Sequence, residues 1–429
     1  MDMRLETPVS SKDRLAPQLA DLFSDYNGPA FSLQLWDGWR WSSSQDGRVH
    51  CKLIMHTPQV LMSLANGADE IALGEAFIRK ELEAEGDLLA AFPVVEYLMQ
   101  RPISVRHRVM ETMLSCAVEV ERWLENGIRH SQKRDQASIS YHYDLPVAFY
   151  RPWLGETLAY SCAYFRSADE SLDQAQNQKL ELICRKLRLK ERESFLDIGC
   201  GWGSLILHAA SQHQAFAHGI TLSREQEAVA GQRITEAGLD DHCKVEFRDY
   251  RECGELRRSF DKIASVGMYE HVGLANLPLY FQAAYELLKP GGTFLNHGIA
   301  RSQKSPSRRD SFIDRYVFPD GKLVTITEAI HAAESAGFEV RDVENLREHY
   351  ELTLRKWVDG LKQNKEALLG IVAESTYRTW LLYTAGSAMA FRRGDIAVYQ
   401  TLLSRPDAGC SHLPLLREDW YTEGEVMRL

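Results

Sequence analysis

The chain has no apolar run long enough to cross a bilayer, which takes about 20 residues. Its longest nearly uncharged stretch, around Thr379 to Phe391, falls short of that. It has no excess of positive charge either. With 60 acidic and 50 basic residues its formal net charge is -10, which argues against bulk nucleic-acid binding, so no nucleic-acid partner is expected. Its eight cysteines (51, 116, 162, 184, 200, 243, 253 and 410) form no CxxC pair and no zinc-type spacing. That pattern suggests a reducing, cytosolic compartment and no metal site. The opening MDMRLETPVSSKDRLAP has no apolar core of the kind a signal peptide needs. Any membrane contact is therefore expected to be peripheral. Internal repeats and low-complexity tracts are also missing.

What is present is an ordinary globular composition over 429 residues, with 45% apolar and 26% charged, enough for two or three domains. The first part carries strand-like segments, FSLQLWDG and RVHCKLIMH, with turns at Asp37-Gly38 and Asp46-Gly47, then a helical pattern, TPQVLMSLANG. A helical, basic-tinged stretch from Pro102 to about Gln132 reads as a linker. The expected division is a small α/β domain over 1–125, with a lipid or oligomer role, and a catalytic domain over 126–429. From Asp173 onward, helices and strands alternate: helix 173–187, ESFLDIG, helix 203–212, FAHGITL, helix 223–237, then KVEFRD, FDKIASVG and GGTFLNHGI. This order implies a parallel, doubly wound sheet. Helices are expected around 351–365 and 370–392, followed by a tail, LPLLREDWY.

The stretch FLDIGCGWGSL is the first specific signal. Asp197 ends a strand, and Gly199, Gly201 and Gly203 bare the backbone where ligands bind in open α/β sheets. The spacing is not the dinucleotide GxGxxG, and no phosphate loop is present. A carboxylate beside such a turn suits the cationic sulfonium of S-adenosylmethionine. Taken alone, the turn also fits another nucleotide or a purely structural role. Thr221 and Gln226 stand where ribose hydroxyls would bind, and Asp249 and Tyr250 where an adenine amine and ring would; each also reads as an ordinary loop residue.

Several segments together resemble the cyclopropane fatty acid synthase family, including the mycolic acid cyclopropane synthases. They are YHYDLPVAFY (141–150), LAYSCAYF (158–165), LDIGCGWGSL (196–205), GITLSREQ (219–226), SVGMYEHVG (265–273), LKPGG (288–292) and FIDRYVFPDG (312–321). LGEAFIRKELEAEGDL (73–88) resembles the small domain preceding the longer members. The resemblance implies a class I S-adenosylmethionine methyltransferase fold, Rossmann-like, with a smaller N-terminal domain. The implied reaction adds a methylene from S-adenosylmethionine across a cis double bond of a phospholipid acyl chain, with bound bicarbonate as the base. A methyl- or methylene-branched product is the alternative. Carried over by residue, the resemblance gives Cys162, Glu270, His297 and Tyr350 as bicarbonate ligands, with backbone help at Ile299. It gives Tyr160, Ser161, Gly199, Gly201, Thr221, Gln226 and Tyr250 as donor contacts.

Outside that context each residue has a plainer reading. Cys162 fits a small buried hydrophobe, His297 a core histidine, Glu270 a helix cap, and Tyr350 a packing residue on one helical face. Tyr164, Phe165, Tyr269, Tyr316 and Phe318 are candidates for stabilising a carbocation. The family segment at the histidine often reads H-T-I-G, whereas here it is His297-Gly298-Ile299-Ala300, which is expected to widen the pocket. RSQKSPSRRDSFIDR (301–315) carries five basic and two acidic residues and is either a solvated loop or a contact for anionic phospholipid. The expected setting is cytoplasmic, peripheral on the inner face of the membrane, with a homodimer an open option. Competing readings are a methyltransferase acting on a small molecule, protein or nucleic acid, and a non-catalytic lipid-binding scaffold.

Overall fold

Short β-branched and aromatic runs set the strands, and capped amphipathic runs set the helices between them. In the computed structural model the described residues are 20, 23–44, 46–60, 70–99, 145–256, 260–304, 312–317 and 323–421. The linker stretch, the proposed boundary at 125/126, Tyr141–Asp144 of the first family segment and Phe318 lie outside them.

Four N-terminal strands form one sheet in the order β2-β1-β3-β4. They are β1 (Phe31–Gln34), β2 (Arg40–Ser42), β3 (Cys51–Met55) and β4 (Leu82–Gly86), accompanied by helices α1 (Glu70–Ile78) and α2 (Ala91–Met99). Phe31, Leu33, Leu53, Met55 and Leu73 give this unit its own core.

The C-terminal part begins with α3 (Val147–Leu154) and α4 (Leu172–Leu187). A capping box between Ser171 and Gln174 starts α4. The chain then alternates through β5 (Ser194–Ile198), α5 (Ser204–His213), β6 (Phe216–Thr221), α6 (Arg224–Glu236), β7 (Cys243–Phe247), β8 (Phe260–Val266), α7 (Leu277–Leu287) and β9 (Leu288–Arg301). After α8 (Ile326–Ser335) come β10 (Glu339–Asn345), α9 (Arg347–Gln363), α10 (Glu374–Arg393) and β11 (Ile396–Ser404). The seven strands pair in the order β10-β11-β9-β8-β5-β6-β7.

The expected parallel, doubly wound arrangement holds from β5 to β9. The last two strands go beyond the expected set, and β11 runs antiparallel to both of its neighbours, β9 and β10. β10 is charged and alternates exposed with half-buried residues, as an edge strand does, so it carries no continuous apolar signal. β11 follows α10 after a single left-handed glycine cap, Gly394, and is masked by that short connection.

Three apolar layers hold this part together. One lies between the sheet and α7–α8, and a second between the sheet and α4–α5. The third is aromatic, with Phe149, Tyr150, Trp153, Trp357 and Trp380 between α3, α9 and α10. Arg378 of α10 joins the two units. Its guanidinium sits 4.2 Å over the Phe77 ring, donates to the Phe77 and Leu82 carbonyls and pairs with Glu83. The LPLLREDWY tail has a structural role. It buries Trp420 against α4 under the cations of Lys186, Arg188 and Arg417, and Arg188 pairs with Asp419 at 2.7 Å.

Candidate functional site

The carboxyl ends of β5, β6 and β8 surround a cavity of about 140 Å³. Asp197, Gly199 and Gly201 form one wall, Thr221 and Gln226 a second, and Tyr250 with Met268 a third. Tyr160 and Ser161 close it from the loop before α4. Gly201 has φ +54°, and a Cβ there would project into open space. Gly203 (φ +85°) caps α5 and lets Ala230 of α6 approach, so it shapes the turn without lining the cavity. Arg233 ties the turn to the loop by donating to the Trp202 carbonyl at 2.6 Å and the Thr157 carbonyl at 3.2 Å.

Thr221 donates to Gln226 at 2.7 Å, so these two predicted ribose contacts are already bonded to each other. Asp249 does not line the cavity. Its carboxylate caps a short turn by accepting from the Arg251 amide and holds the Arg251 guanidinium at 2.7–2.9 Å. Tyr250 does face the cavity.

Two opposite charges are buried in this wall. Asp197 is buried and its Oδ1 makes no hydrogen bond within the protein. Burial pushes its carboxyl up to about 7, against the pull of Lys179. Lys179 is also buried in the wall and donates to Ser161 Oγ at 2.7 Å; burial lowers it to about 8. The sequence reading missed Lys179, although a lysine on the otherwise apolar face of Ala175, Leu182 and Ile183 signals it. It also missed Gln176, which is wholly buried and donates to the carbonyls of Ala159 and Ser161, fixing the loop that carries Tyr160.

Next to this cavity, β8 and β9 bring together part of the second predicted set. Val266 pairs with His297, and the Gly267 amide donates to the His297 carbonyl at 2.8 Å. Glu270, in the short helical turn after β8, accepts from the Ile299 amide through Oε1 at 2.7 Å. Its Oε2 is buried with no protein partner. Burial pushes Glu270 up to about 7, partly offset by the Ile299 bond.

His297 is buried, and desolvation holds it well below its usual value, so it is neutral. Its tautomer is set from β11. Lys186 Nζ donates to Gln400 Oε1 at 2.8 Å, which leaves the Gln400 amide nitrogen to donate to His297 Nδ1 at 3.2 Å. The proton then sits on Nε2, a buried donor with no protein partner. Glu344, bonded to Lys186, completes the relay. None of its three outer members was read from sequence, because 186, 344 and 400 meet only once β10 and β11 are in place.

Cys162 and Tyr350 belong to the aromatic layer beside this point. Cys162 is fully buried, which pushes its thiol up, and lies 3.8 Å from the Leu346 carbonyl. Tyr350 packs on Phe391 with ring centroids 4.6 Å apart. Ile299 packs against the same layer. Tyr160 stacks on Trp357 at 5.1 Å, with Trp153 and Trp380 within 5.9 Å. Of these rings Tyr160 also lines the donor cavity. Tyr164 stacks on His349, and Tyr316 donates to Glu75 of the N-terminal unit at 2.7 Å.

The expected widening at Gly298 does not occur. A Cβ on Gly298 would fall 1.7 Å from Tyr269 Cε1, so the Tyr269 ring already fills the space a side chain would take.

The profile of the mycolic acid cyclopropane synthetase family matches residues 130–401. A probable fatty acid methyltransferase of Pseudomonas putida is 40% identical, over 91% of this chain and 95% of its own. The cyclopropane-fatty-acyl-phospholipid synthase of Escherichia coli K12 is 37% identical, over 64% of this chain and 69% of its own. Among solved structures, the mycolic acid cyclopropane synthase CmaA1, complexed with SAH and CTAB, aligns with TM-score 0.59 and 31% identity. It is covered over 97% of its length by 62% of this chain, so the N-terminal unit is additional to that catalytic fold. The chain therefore belongs to the mycolic acid cyclopropane synthetase family, with the class I methyltransferase fold of an S-adenosylmethionine-dependent enzyme.

Proposed function

We propose that the protein transfers a one-carbon unit from S-adenosylmethionine to a cis double bond in a phospholipid acyl chain and closes a cyclopropane ring. The observation carrying this reading is the pair of unpartnered buried atoms beside the donor cavity, His297 Nε2 and Glu270 Oε2. A dry N–H that donates to an anion's oxygen and a dry carboxylate oxygen that accepts from a hydroxyl together fit bicarbonate, which offers both. Such an anion would supply the base that takes a proton from the transferred methyl group.

The remaining work falls to side chains. Asp197, Gly199, Gly201, Thr221, Gln226 and Tyr250 bind the donor, and Tyr160 and Ser161 close over it. Lys179 suits the donor's carboxylate and Asp197 its cationic end. The alkene attacks the methyl carbon, the sulfur leaves as S-adenosylhomocysteine, and the resulting cation lies among Tyr160, Trp153, Trp357 and Trp380. Aromatic faces stabilise such a charge, and exclusion of water prevents its capture. Glu270 and His297 hold the proton acceptor, and the family resemblance adds Cys162 and Tyr350 to its surroundings.

A second reading, a methyl-branched product, is favoured by the Pseudomonas putida relative, which matches nearly the whole chain under the name of a fatty acid methyltransferase. The same residues serve both until the cation either loses a proton or shifts a hydride. Incubating the purified protein with S-adenosylmethionine and vesicles of unsaturated phospholipid tests the class. The acyl chains should gain the mass of one methylene. No gain on any unsaturated lipid, with methylation of a small amine instead, would overturn it.

The substrate is held in a bilayer, and no helix among the described residues is long and apolar enough to cross one. Peripheral action on an anionic inner-leaflet surface through the 301–315 segment, from the cytoplasm, follows as part of this proposal. The N-terminal unit is proposed to assist docking or dimerisation. In that segment Arg301 and Arg315 lie near Glu328 and Glu75, at 3.7 and 3.4 Å, and residues 305–311, with Arg308 and Arg309, lie outside the described residues.

A further inference from the structure

Helices α4 and α5 share a polar cluster that the donor site does not use. Glu181 and Cys184, three residues apart on α4, face the same way, and His208 and His213 of α5 turn toward them. Both imidazole Nε2 atoms lie 3.0 Å from Glu181 Oε2, while Arg185 Nε holds the other carboxylate oxygen at 2.6 Å. One ligand-capable atom each from Cys184, His208 and His213 lie within 4.8 Å of one another. Cys184 is fully buried, and the two imidazoles are 14% and 18% exposed. The cluster is thus walled by protein on one side and reachable from solvent on the other.

We propose that Cys184, His208 and His213 bind a divalent ion of the zinc class, with Glu181 as the carboxylate that orients both rings. Two imidazoles and a thiolate are the donor mixture that zinc and cobalt prefer over magnesium or calcium. Bonds of about 2.0–2.3 Å in a tetrahedral site separate the ligand atoms by about 3.3–3.8 Å, so side-chain rotation of about an ångström closes the cluster. Binding releases the Cys184 thiol proton to solvent. A carboxylate bonded to the metal-binding imidazoles is the usual outer support of such sites. Sequence spacing hid the set because its members come from two helices, separated by three and by five residues. α4 also supplies Lys179, Leu180 and Ile183 to the donor cavity, so an ion pinning α4 to α5 braces that wall without touching the donor.

The full chain, stripped with a chelator and titrated with Co²⁺, tests this. One equivalent should give a near-ultraviolet thiolate-to-cobalt charge-transfer band and tetrahedral ligand-field bands. Zn²⁺ should displace the Co²⁺ and raise the unfolding temperature. Cys184→Ser should remove the charge-transfer band. His213→Gln, at the half-exposed end of α5, should weaken Co²⁺ binding by about tenfold or more with donor affinity unchanged. The proposal is overturned if wild-type protein shows no such band, if the band survives in Cys184→Ser, or if His213→Gln binds Co²⁺ like wild type. Should Cys184→Ser fail to fold, His213→Gln decides the matter alone.

Discussion

Glu270 holds one oxygen on the Ile299 amide and keeps the other dry and unpartnered, and this division specifies its expected mutant behaviour. Glu270→Gln keeps an oxygen for the Ile299 bond but removes the charge, so donor affinity should change little. Turnover should fall on the order of 100- to 1,000-fold, the usual weight of a positioned proton-transfer system. Single-turnover kinetics with calorimetric donor binding check both halves, and undiminished turnover would remove Glu270 from the chemistry.

A pH dependence follows from the same burial. Glu270 and Asp197, with ordinary values of 4.5 and 3.8, are both pushed up to about 7. The folded protein therefore keeps two protons that the unfolded chain has released. Stability is fully present below the ordinary values and is lost as pH rises through about 7. Asp197 alone of the two lines the donor cavity, so cationic S-adenosylmethionine offsets its newly formed carboxylate, whereas neutral S-adenosylhomocysteine does not. Binding of the cation should tighten with pH across neutrality more than binding of the thioether. Parallel calorimetry of the two ligands measures this, and identical pH profiles would contradict it.

At the scale of elements, the close contact between β9 and the turn after β8 is the sharpest constraint. Gly298→Thr places a branched side chain where Tyr269 Cε1 stands 1.7 Å away. The ring must leave, at a cost of roughly 1–3 kcal/mol or more. Tyr269→Ala in the same chain should recover part of that loss, a coupling that denaturant titration of the single and double variants reads directly. Purely additive losses would show that the ring does not occupy that space.

The same elements show what the sequence makes legible. β5 to β9 and the helices between them could be read because each strand is a short apolar run ended by a turn signal. The glycine turn could be read because three glycines at alternate positions follow a strand there, and the loop with Tyr160 only through the family resemblance of LAYSCAYF. The relay from Glu344 through Lys186 and Gln400 to His297 could not, since it depends on the antiparallel return of β11. The tail was opaque for the same reason: Trp420 finds its cations only after α4 is in place.

For the whole molecule, a net charge of -10 means that attraction to anionic lipid must be local. Lys304, Arg308 and Arg309 would contribute about 1 kcal/mol each near such a surface, falling off within a Debye length of roughly 8 Å. Co-sedimentation with anionic vesicles should therefore weaken as salt rises, and weaken again in Arg308→Ser/Arg309→Ser. Salt-independent binding that survives both changes would return the segment to a solvated loop. Methylene transfer with ring closure is tested most directly by supplying S-adenosylmethionine with a fully deuterated methyl group and analysing the lipid by mass spectrometry. Ring closure expels one deuteron, so the acyl chains should gain a carbon carrying the other two within a cyclopropane. An acyl chain that retains all three deuterons on a methyl branch, or that acquires no label, would contradict it.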